Sequence, residues 1–142
     1  MYIKKQVFFV LGLSRSGKAS AEFLLSRGAS VYIYDDLTSE RIEQTYKDLQ
    51  LKGAKRIKKE DLPNMPEVCD VLVISPGIPI DHPLAVAFKR GGRAVVGETE
   101  LAARYIKSHV IAITGTNGKT TTVSMLAETL KQGGINAYAC GN

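Results

Sequence analysis

The chain has 142 residues, of which 44% are hydrophobic and 23% are charged, a composition typical of a globular protein with a hydrophobic core. No apolar run approaches the roughly 20 residues that cross a bilayer, so we expect no membrane partner. The net charge is +5, but the basic residues are dispersed, and their one cluster, residues 55–59, is followed at once by Glu60 and Asp61. This pattern favours a solvated loop, so we expect no nucleic-acid partner either.

The N-terminus and the cysteines indicate a cytoplasmic protein. Residues 1–6 lead directly into a strand pattern and contain no cleavage site, which argues against a secretory signal. Cys69 and Cys140 lie far apart beside predicted strands, and neither belongs to a CxxC pair, so we expect buried, reduced thiols. His82 and His109 are not at metal-ligand spacing, and we assign neither a metal role.

Strand and helix patterns alternate along the chain. The predicted strands cover residues 7–11, 31–34, 71–74, 94–96, 109–113 and 136–139, and the first is a continuous apolar run of the kind that parallel sheets bury. The predicted helices cover residues 16–27, 40–51, 82–89 and 98–105, followed by one that begins at about Lys119. The alternation predicts an α/β protein with a mostly parallel sheet.

This alternation divides into two units. The first, residues 1–106, contains several strand–helix repeats and is predicted to be a complete Rossmann-like parallel-sheet domain. The second, residues 107–142, contains only a strand, a loop, a helix and a strand, the opening β-α-β of a P-loop ATPase domain. A lone β-α-β cannot bury both its helix and its sheet faces. We therefore expect the chain to be the N-terminal fragment of a larger protein, with its second domain truncated.

The most informative segment is Ile113-Thr114-Gly115-Thr116-Asn117-Gly118-Lys119-Thr120-Thr121, between an apolar strand and a helix. Such a loop directs backbone N–H groups and the positive end of a helix dipole at one point, which suits a polyphosphate. We expect Lys119 to reach the β- and γ-phosphates of a nucleotide and the Thr120 hydroxyl to bind Mg²⁺. Ile113 replaces the first glycine of the full P-loop pattern, which leaves the shorter Gly-x-x-Gly-Lys-Thr form. The less favoured alternative is an ordinary turn capped by a threonine.

A second glycine-rich loop, Gly12-Leu13-Ser14-Arg15-Ser16-Gly17, follows the first predicted strand and opens the first helix, as in a dinucleotide-binding fingerprint. Ser14 stands where the fingerprint has its middle glycine, which weakens an NAD interpretation because that glycine lets the backbone approach a pyrophosphate. Asp35 ends the second strand, at roughly the spacing at which an acid binds a ribose hydroxyl. Alternatively, the two glycines serve only the tight turn and helix packing, and the acid only begins a polar loop.

A third motif, Ser75-Pro76-Gly77-Ile78-Pro79, follows the predicted strand 71–74. In open α/β sheets ligands bind outside the carboxyl ends of the strands, near the switch point. The first glycine-rich loop, Asp35 and Ser75 to Gly77 would all reach that edge, so we expect one site there. The alternative is that proline and glycine simply terminate the strand.

Together these motifs resemble the Mur ligases, the ATP-dependent amide-forming enzymes of peptidoglycan synthesis, and within them the D-glutamate-adding branch. The phosphate loop is shared with folylpolyglutamate synthases and fixes only the superfamily, whereas the first glycine-rich loop and the Ser-Pro-Gly-Ile-Pro segment favour that branch. The motifs span the chain in the family's order: Gly12 to Gly17, Asp35, Ser75 to Pro79, Gly97-Glu98-Thr99-Glu100-Leu101, Thr114 to Thr121, and Gly141-Asn142.

The resemblance implies three domains, of which this chain holds the first, for a UDP-sugar, and the opening of the second, for ATP. It implies that Lys119 and Thr120 are catalytic, that Thr120 binds Mg²⁺, and that ATP is bound by Gly115, Thr116, Asn117, Gly118, Lys119, Thr120 and Thr121. It implies a substrate site formed by Gly12, Ser14, Arg15, Ser16, Gly17, Asp35, Asp36, Ser75, Gly77 and Asn142. Arg15 and Ser16 would line the uracil pocket, and Asn142 would bind the diphosphate or the sugar. Some family members carry glycine at position 14 and an apolar residue at position 15.

The implied reaction joins D-glutamate to UDP-N-acetylmuramoyl-L-alanine. The γ-phosphoryl group of ATP passes to the terminal L-alanine carboxylate, and the amine of D-glutamate attacks the resulting acyl phosphate. The resemblance places further Mg²⁺ ligands, a glutamate, a carbamylated lysine and a histidine, beyond this chain, which also lacks a general base. We therefore expect the fragment alone to be inactive, and the full-length protein to be a monomer.

Other functions remain open. Another Mur-type or folylpolyglutamate-type ligase would share the phosphate loop. An NAD-dependent oxidoreductase built on the first unit would leave that loop unexplained, and binding of a nicotinamide cofactor would support it. A nucleotide-binding regulatory module without chemistry of its own fits a fragment equally well.

Overall fold

The computed structural model describes residues 3–140 and divides the chain into two compact units, with the boundary after Ile106. The first unit contains a five-stranded sheet in which every pair of neighbouring strands is parallel. This sheet and its helices confirm the predicted α/β class with a Rossmann-like parallel sheet. No helix in the described range is long and apolar enough to cross a membrane.

Strands and helices alternate through the first unit. The strands are β1 (Val7–Leu11), β2 (Ser30–Tyr34), β3 (Lys55–Arg56), β4 (Val71–Ile74) and β5 (Ala94–Gly97). The helices are α1 (Arg15–Ser26), α2 (Glu40–Leu51), α3 (Met65–Val68), α4 (Pro83–Arg90) and α5 (Glu98–Ala103), and two short 3-10 segments cover Ile3–Lys5 and Lys59–Asn64. Every element predicted for this unit is present.

The strand order β3-β2-β1-β4-β5 places β1 at the centre of the sheet. The chain runs outward through β2 and β3 and then crosses to β4 on the other side of β1, so the switch point lies between β1 and β4. The register aligns the strand ends: Leu11 pairs with Tyr34 on one side and Ile74 on the other, and Ile74 pairs with Gly97. These are the last residues of β1, β2, β4 and β5, so the loops that follow the four strands all start at the same edge of the sheet, its carboxyl edge.

Helices cover both faces of the sheet. Phe8 is fully buried in a cluster with residues of α1, α2 and α5. The next residue, Phe9, points to the opposite face and stacks on Phe88 of α4, with the ring centroids 6.2 Å apart. Because both faces are covered, β1 and β4 are continuous apolar runs rather than alternating ones.

The edge strand β3 was not predicted from the sequence. Residues 55–59 predict a solvated loop, yet Lys55 and Arg56 pair with β2 in parallel while their side chains stay exposed. The Arg56 guanidinium lies 3.8 Å from the ring centroid of Tyr46 and donates to both carboxylate oxygens of Glu43 at 2.7 Å. Two charged residues can form an edge strand because their backbone completes the hydrogen bonds of β2.

The second unit contains the helix α6 (Lys119–Gln132). Neither residues 109–113 nor residues 136–139 form a strand, so the β-α-β prediction holds only for its helix within the described residues. A strand needs a neighbour for its backbone N–H and C=O groups, and no described segment of this unit pairs with either range. Val110 and Tyr138 are exposed, at 67% and 78%.

The two cysteines lie in different environments. Cys69 is buried, as predicted, and burial raises the pKa of its thiol to about 12. Cys140 is exposed, so the prediction that it is buried was wrong, because the strand expected beside it does not form. Both thiols are free.

Candidate functional site

Four residues follow the ends of four adjacent strands at the carboxyl edge: Asp35 after β2, Gly12 after β1, Ser75 after β4 and Glu98 after β5. The N–H of Gly12 donates to the carbonyl oxygen of Tyr34 at 2.8 Å, and the Ser75 hydroxyl lies 2.5 Å from a carboxylate oxygen of Glu98. The structure therefore brings the predicted residues Gly12, Asp35 and Ser75 to one edge. It adds Glu98, which lies in the segment from Gly97 to Leu101 but was not predicted as a site residue.

The two glycines of the first loop are required by close packing. Gly12 has a φ of +89°, and a Cβ built on it would lie 2.9 Å from the Cβ of Ser75. A Cβ on Gly17 would lie 1.9 Å from the carbonyl oxygen of Gly12. The turn after β1, the start of α1 and Ser75 thus press directly on one another, which supports the tight-turn and packing role for both glycines.

The residues between the glycines are open to a ligand. Ser14, Arg15 and Ser16 are all exposed. Ser14 is the N-cap of α1, but its side chain makes no capping hydrogen bond. The first-turn N–H groups of α1 are therefore not satisfied by that side chain.

A cleft of about 330 Å³ begins at this loop and is lined by residues of α1 and α2. Its lining carries three cations, Arg15, Lys18 and Arg41, and one carboxylate, Asp48. Lys18 donates to Asp48 at 2.6 Å, and this hydrogen bond raises the pKa of Lys18 and lowers that of Asp48. The cleft keeps an excess of positive charge, which suits an anionic group. Lys18 and Arg41 were not predicted, because their spacing does not distinguish them from a solvated helix face.

The Asp35 carboxylate joins two loops. One of its oxygens accepts a hydrogen bond from the N–H of Leu13 at 2.6 Å, and the other accepts from the N–H of Leu37 at 2.8 Å. The Tyr46 hydroxyl of α2 accepts from the N–H of Asp35 at 2.7 Å, a support that sequence reasoning missed. Asp35 therefore fixes the loop after β1 relative to the loop after β2.

Asp36, the next residue after Asp35, is exposed. Its carboxylate accepts a hydrogen bond from the buried Tyr34 hydroxyl at 2.9 Å. Burial, together with this bond, raises the pKa of Tyr34 to about 12. The Tyr34 phenol is thus a neutral donor that holds Asp36 at the corner beside the loop.

The turn after β4 has a buried start and an exposed tip. Ser75 is buried, and its carbonyl oxygen accepts from the N–H of Ile78 at 2.9 Å. Gly77 is exposed, and a Cβ built on it would meet nothing within 4 Å. Packing does not require glycine at position 77, so this position is open to a ligand.

The phosphate loop lies in the second unit. Gly115 and Gly118 have φ values of +154° and +76°, which side-chain-bearing residues rarely adopt, and Gly118 caps α6. Lys119 is the first residue of α6, and its ammonium donates to the carbonyl oxygens of Gly115 at 2.5 Å and Thr116 at 3.4 Å. The loop therefore has glycine-dependent geometry, with the lysine folded over it.

The other predicted residues of that unit that the structure describes lie at the surface. Asn117, Thr120 and Thr121 are exposed, and Thr120 lies in the first turn of α6. Across residues 3–140 there is no group of three or more His, Cys, Asp and Glu side chains that could hold a metal ion. Asn142 lies outside the described residues.

A family model described as Mur ligase MurD-like, N-terminal domain, matches residues 5–97, which include β1 to β5 and the loops that carry Gly12, Asp35 and Ser75. The chain belongs to the MurD-like Mur ligases. The match ends just before Glu98, at the last residue of β5.

Curated relatives extend the likeness along the whole chain. The UDP-N-acetylmuramoylalanine--D-glutamate ligase of Koribacter versatilis is 39% identical over 142 residues, 100% of this chain and 31% of the relative. That of Geotalea daltonii is 40% identical over 148 residues, again 100% of this chain and 31% of the relative. This MurD-like chain therefore spans about a third of the length of the curated relatives it matches.

Solved structures support the fold. The murein peptide ligase of Psychrobacter arcticus matches with a TM-score of 0.62 and 20% identity, over 91% of this chain and 27% of that chain. At this identity the likeness shows the shared fold of Mur ligases and nothing finer. Within the MurD-like chain, the predicted substrate residues of the first unit gather at the sheet edge, and the predicted ATP residues form a separate loop in the second unit.

Proposed function

We propose that this chain comprises the UDP-sugar-binding domain, residues 1–106, and the opening of the ATP-binding domain, residues 107–142, of a ligase. That ligase would join D-glutamate to UDP-N-acetylmuramoyl-L-alanine with formation of ADP. The observation that carries the proposal is the MurD-like match across the sheet whose carboxyl edge holds the glycine loop. The names of the relatives support the choice of D-glutamate as the added amino acid.

The nucleotide-sugar would bind at the exposed positions of the carboxyl edge. Ser14, Arg15 and Ser16 would contact the UDP moiety, since they are exposed beside a cationic cleft. Asp36 would present a carboxylate to the uridine, and the exposed Gly77 would let the substrate approach the backbone. Gly12, Gly17, Asp35 and Ser75 would shape the site through the packing and hydrogen bonds described above, and Asn142 would bind the diphosphate or the sugar.

The phosphate loop fits a nucleoside triphosphate with Mg²⁺. The left-handed Gly118 opens α6, and the Lys119 ammonium lies over the loop carbonyls, where it can transfer its hydrogen bonds to phosphate oxygens. The exposed Thr120 hydroxyl is an oxygen ligand of the kind that Mg²⁺ prefers. Mg²⁺, when bound, neutralises charge on the β- and γ-phosphates. We therefore propose that ATP binds at Gly115 to Thr121.

The reaction would proceed in two steps. An oxygen of the terminal L-alanine carboxylate attacks the γ-phosphorus of ATP, the bond to ADP breaks, and an acyl phosphate forms. The amine of D-glutamate then attacks the acyl carbon, phosphate leaves, and the amine loses a proton as the amide forms. Lys119 would hold a positive charge against the oxygens of the transferring phosphoryl group, and the first-turn N–H groups of α6 would donate to them.

Calorimetry with three ligands tests the proposal. We expect UDP-N-acetylmuramoyl-L-alanine and UDP to bind the 142-residue chain and NAD⁺ not to bind. We expect Arg15→Ala to weaken UDP binding about tenfold, because the exposed guanidinium would donate a charge-assisted hydrogen bond to the bound UDP. Arg90→Ala, on the exposed end of α4, is the matched control and should bind UDP like the wild type. Preferential binding of NAD⁺ would support the oxidoreductase instead.

Turnover tests the domain assignment. The 142-residue chain alone should show no steady formation of ADP in the presence of ATP, Mg²⁺ and both substrates, since it spans about a third of its relatives. Sustained ADP-forming ligase activity from this chain would contradict the assignment of residues 107–142 as only the opening of the ATP-binding domain.

A further inference from the structure

Glu98 is a buried carboxylate at the carboxyl edge of the sheet. It begins α5 directly after β5, and only 8% of its surface is exposed. One carboxylate oxygen accepts the hydrogen bond from the Ser75 hydroxyl at 2.5 Å, and the other is buried with no hydrogen-bond partner in the described structure. Charged residues are rarely buried unless paired, so the single bond to Ser75 calls for an explanation.

Ser75 links this carboxylate to the glycine loop. Its hydroxyl oxygen lies 3.4 Å from the carbonyl oxygen of Gly12 and 2.5 Å from Glu98. The hydroxyl has one proton and gives it to the nearer acceptor, so Glu98 sets the orientation of the Ser75 side chain. A Cβ on Gly12 would lie 2.9 Å from the Ser75 Cβ, and one on Gly17 would lie 3.1 Å from its Oγ. Ser75 therefore lies close against both glycines of the loop.

Stability alone gives little reason for this pair. A buried carboxylate oxygen without a partner lowers stability, and replacing both partners of a buried hydrogen bond by apolar groups is often neutral or favourable. The pair does, however, join the loops that follow three adjacent strands, β1, β4 and β5, on both sides of the switch point. Ligands of open α/β sheets bind at that place.

We propose that Glu98 is a positioning residue of the nucleotide-sugar site. Through Ser75 it fixes the turn that carries Gly77 against the loop from Gly12 to Gly17, and so sets the position of the exposed Gly77 relative to that loop. The identity of the ligand rests on the proposed function above, whereas the positioning of the two loops does not.

Amide NMR of the ligand-free chain tests the positioning directly. Glu98→Ala should move the amide cross-peaks of Gly12 and Gly77, because Ser75 loses the acceptor that orients it. Glu100→Ala is the matched control, since Glu100 lies on the same helix but is exposed and paired with Arg104. It should leave both cross-peaks in place. Unchanged Gly12 and Gly77 cross-peaks in Glu98→Ala would overturn the proposal.

Binding of UDP-N-acetylmuramoyl-L-alanine tests whether Glu98 acts through Ser75. We expect Glu98→Ala and Ser75→Ala each to weaken binding about tenfold. The double variant should also weaken it about tenfold, because both substitutions remove the same hydrogen bond. A loss of about a hundredfold in the double variant would mean independent effects and would contradict the proposal.

A conservative variant separates positioning from folding. Glu98→Gln keeps an oxygen acceptor for Ser75 and should bind within about threefold of the wild type, a rescue that the proposal requires. A Glu98→Gln variant that is folded by circular dichroism but binds as weakly as Glu98→Ala would overturn it. If the wild-type chain binds no UDP compound, the proposed function fails, and the NMR comparison still decides the role of Glu98.

Discussion

A Cβ at position 17 would lie 1.9 Å from the carbonyl oxygen of Gly12, so the start of α1 and the turn after β1 touch backbone to backbone. Gly17→Ala cannot be accommodated by rotating a side chain, because the obstructing atom belongs to the main chain. We expect this change to lower the free energy of unfolding by about 3 kcal/mol. Urea unfolding followed by circular dichroism measures it, since the chain contains no tryptophan.

Gly77→Ala is the control for that prediction. A Cβ at position 77 would meet nothing within 4 Å, and the backbone there is not left-handed. The free energy of unfolding should therefore stay within about 0.5 kcal/mol of the wild type. If Gly17→Ala were as stable as Gly77→Ala, the close contact between α1 and the turn would be contradicted.

The second prediction concerns Asp35 as a link between loops. Asp35→Ala removes the acceptors of the Leu13 and Leu37 N–H groups, and we expect a loss of about 2 to 3 kcal/mol in the free energy of unfolding. Asp35→Asn keeps one acceptor oxygen and should lose about half as much. Asp81→Ala, at an exposed position, serves as the control. Equal effects of Asp35→Ala and Asp81→Ala would show that the carboxylate does not hold the loops.

The third prediction is a decrease in stability at alkaline pH. The pKa of Tyr34 is raised from 10.0 to about 12, mainly by burial and then by its bond to Asp36. Between these values the folded chain holds the phenol proton more tightly than the unfolded chain. This contribution to stability is therefore complete below pH 10 and is lost as the pH rises through 12.

Urea unfolding at pH 9, 10 and 11 measures this dependence. Tyr34→Phe should reduce this fall in the free energy of unfolding. Part of the fall should remain, because burial also raises the pKa of Tyr46. Tyr138→Phe controls for the loss of a hydroxyl at an exposed position. An identical pH dependence in the wild type and Tyr34→Phe would contradict the assignment of the raised pKa to Tyr34.

Much of the fold could be predicted from the sequence because the first unit carries local signals. The apolar runs of β1 and β4 indicate strands buried on both faces, and α2 has the predicted bounds, with Ile42 and Leu49 buried. Lys55 and Arg56 carry no such signal, because only pairing with β2 makes them a strand. Residues 109–113 show the opposite case, an apolar run that forms no strand, since a strand depends on a neighbour as well as on its own sequence.

The site was predictable only in its loops. Gly12, Asp35 and Ser75 were found because each follows a strand, and the register of a parallel sheet brings strand ends together. The engagement of Asp35 with the Leu13 N–H and the inward direction of Glu98 depend on side-chain geometry across 22 or 23 residues of sequence. No local pattern encodes such contacts, so sequence reasoning could place Asp35 at the edge without assigning its partner and did not predict Glu98 as a site residue.

The last prediction is that the two thiols react at very different rates. Burial raises the pKa of Cys69 to about 12, so at pH 8 roughly one molecule in 10⁴ carries the reactive thiolate, and the side chain is also inaccessible. Cys140 is exposed and should react rapidly with a thiol reagent such as Ellman's reagent. Cys140→Ser should remove the fast phase, and Cys69→Ser should remove the phase that appears only on unfolding in urea. Two fast-reacting thiols in the native chain would contradict the burial of Cys69 between the sheet and its helices.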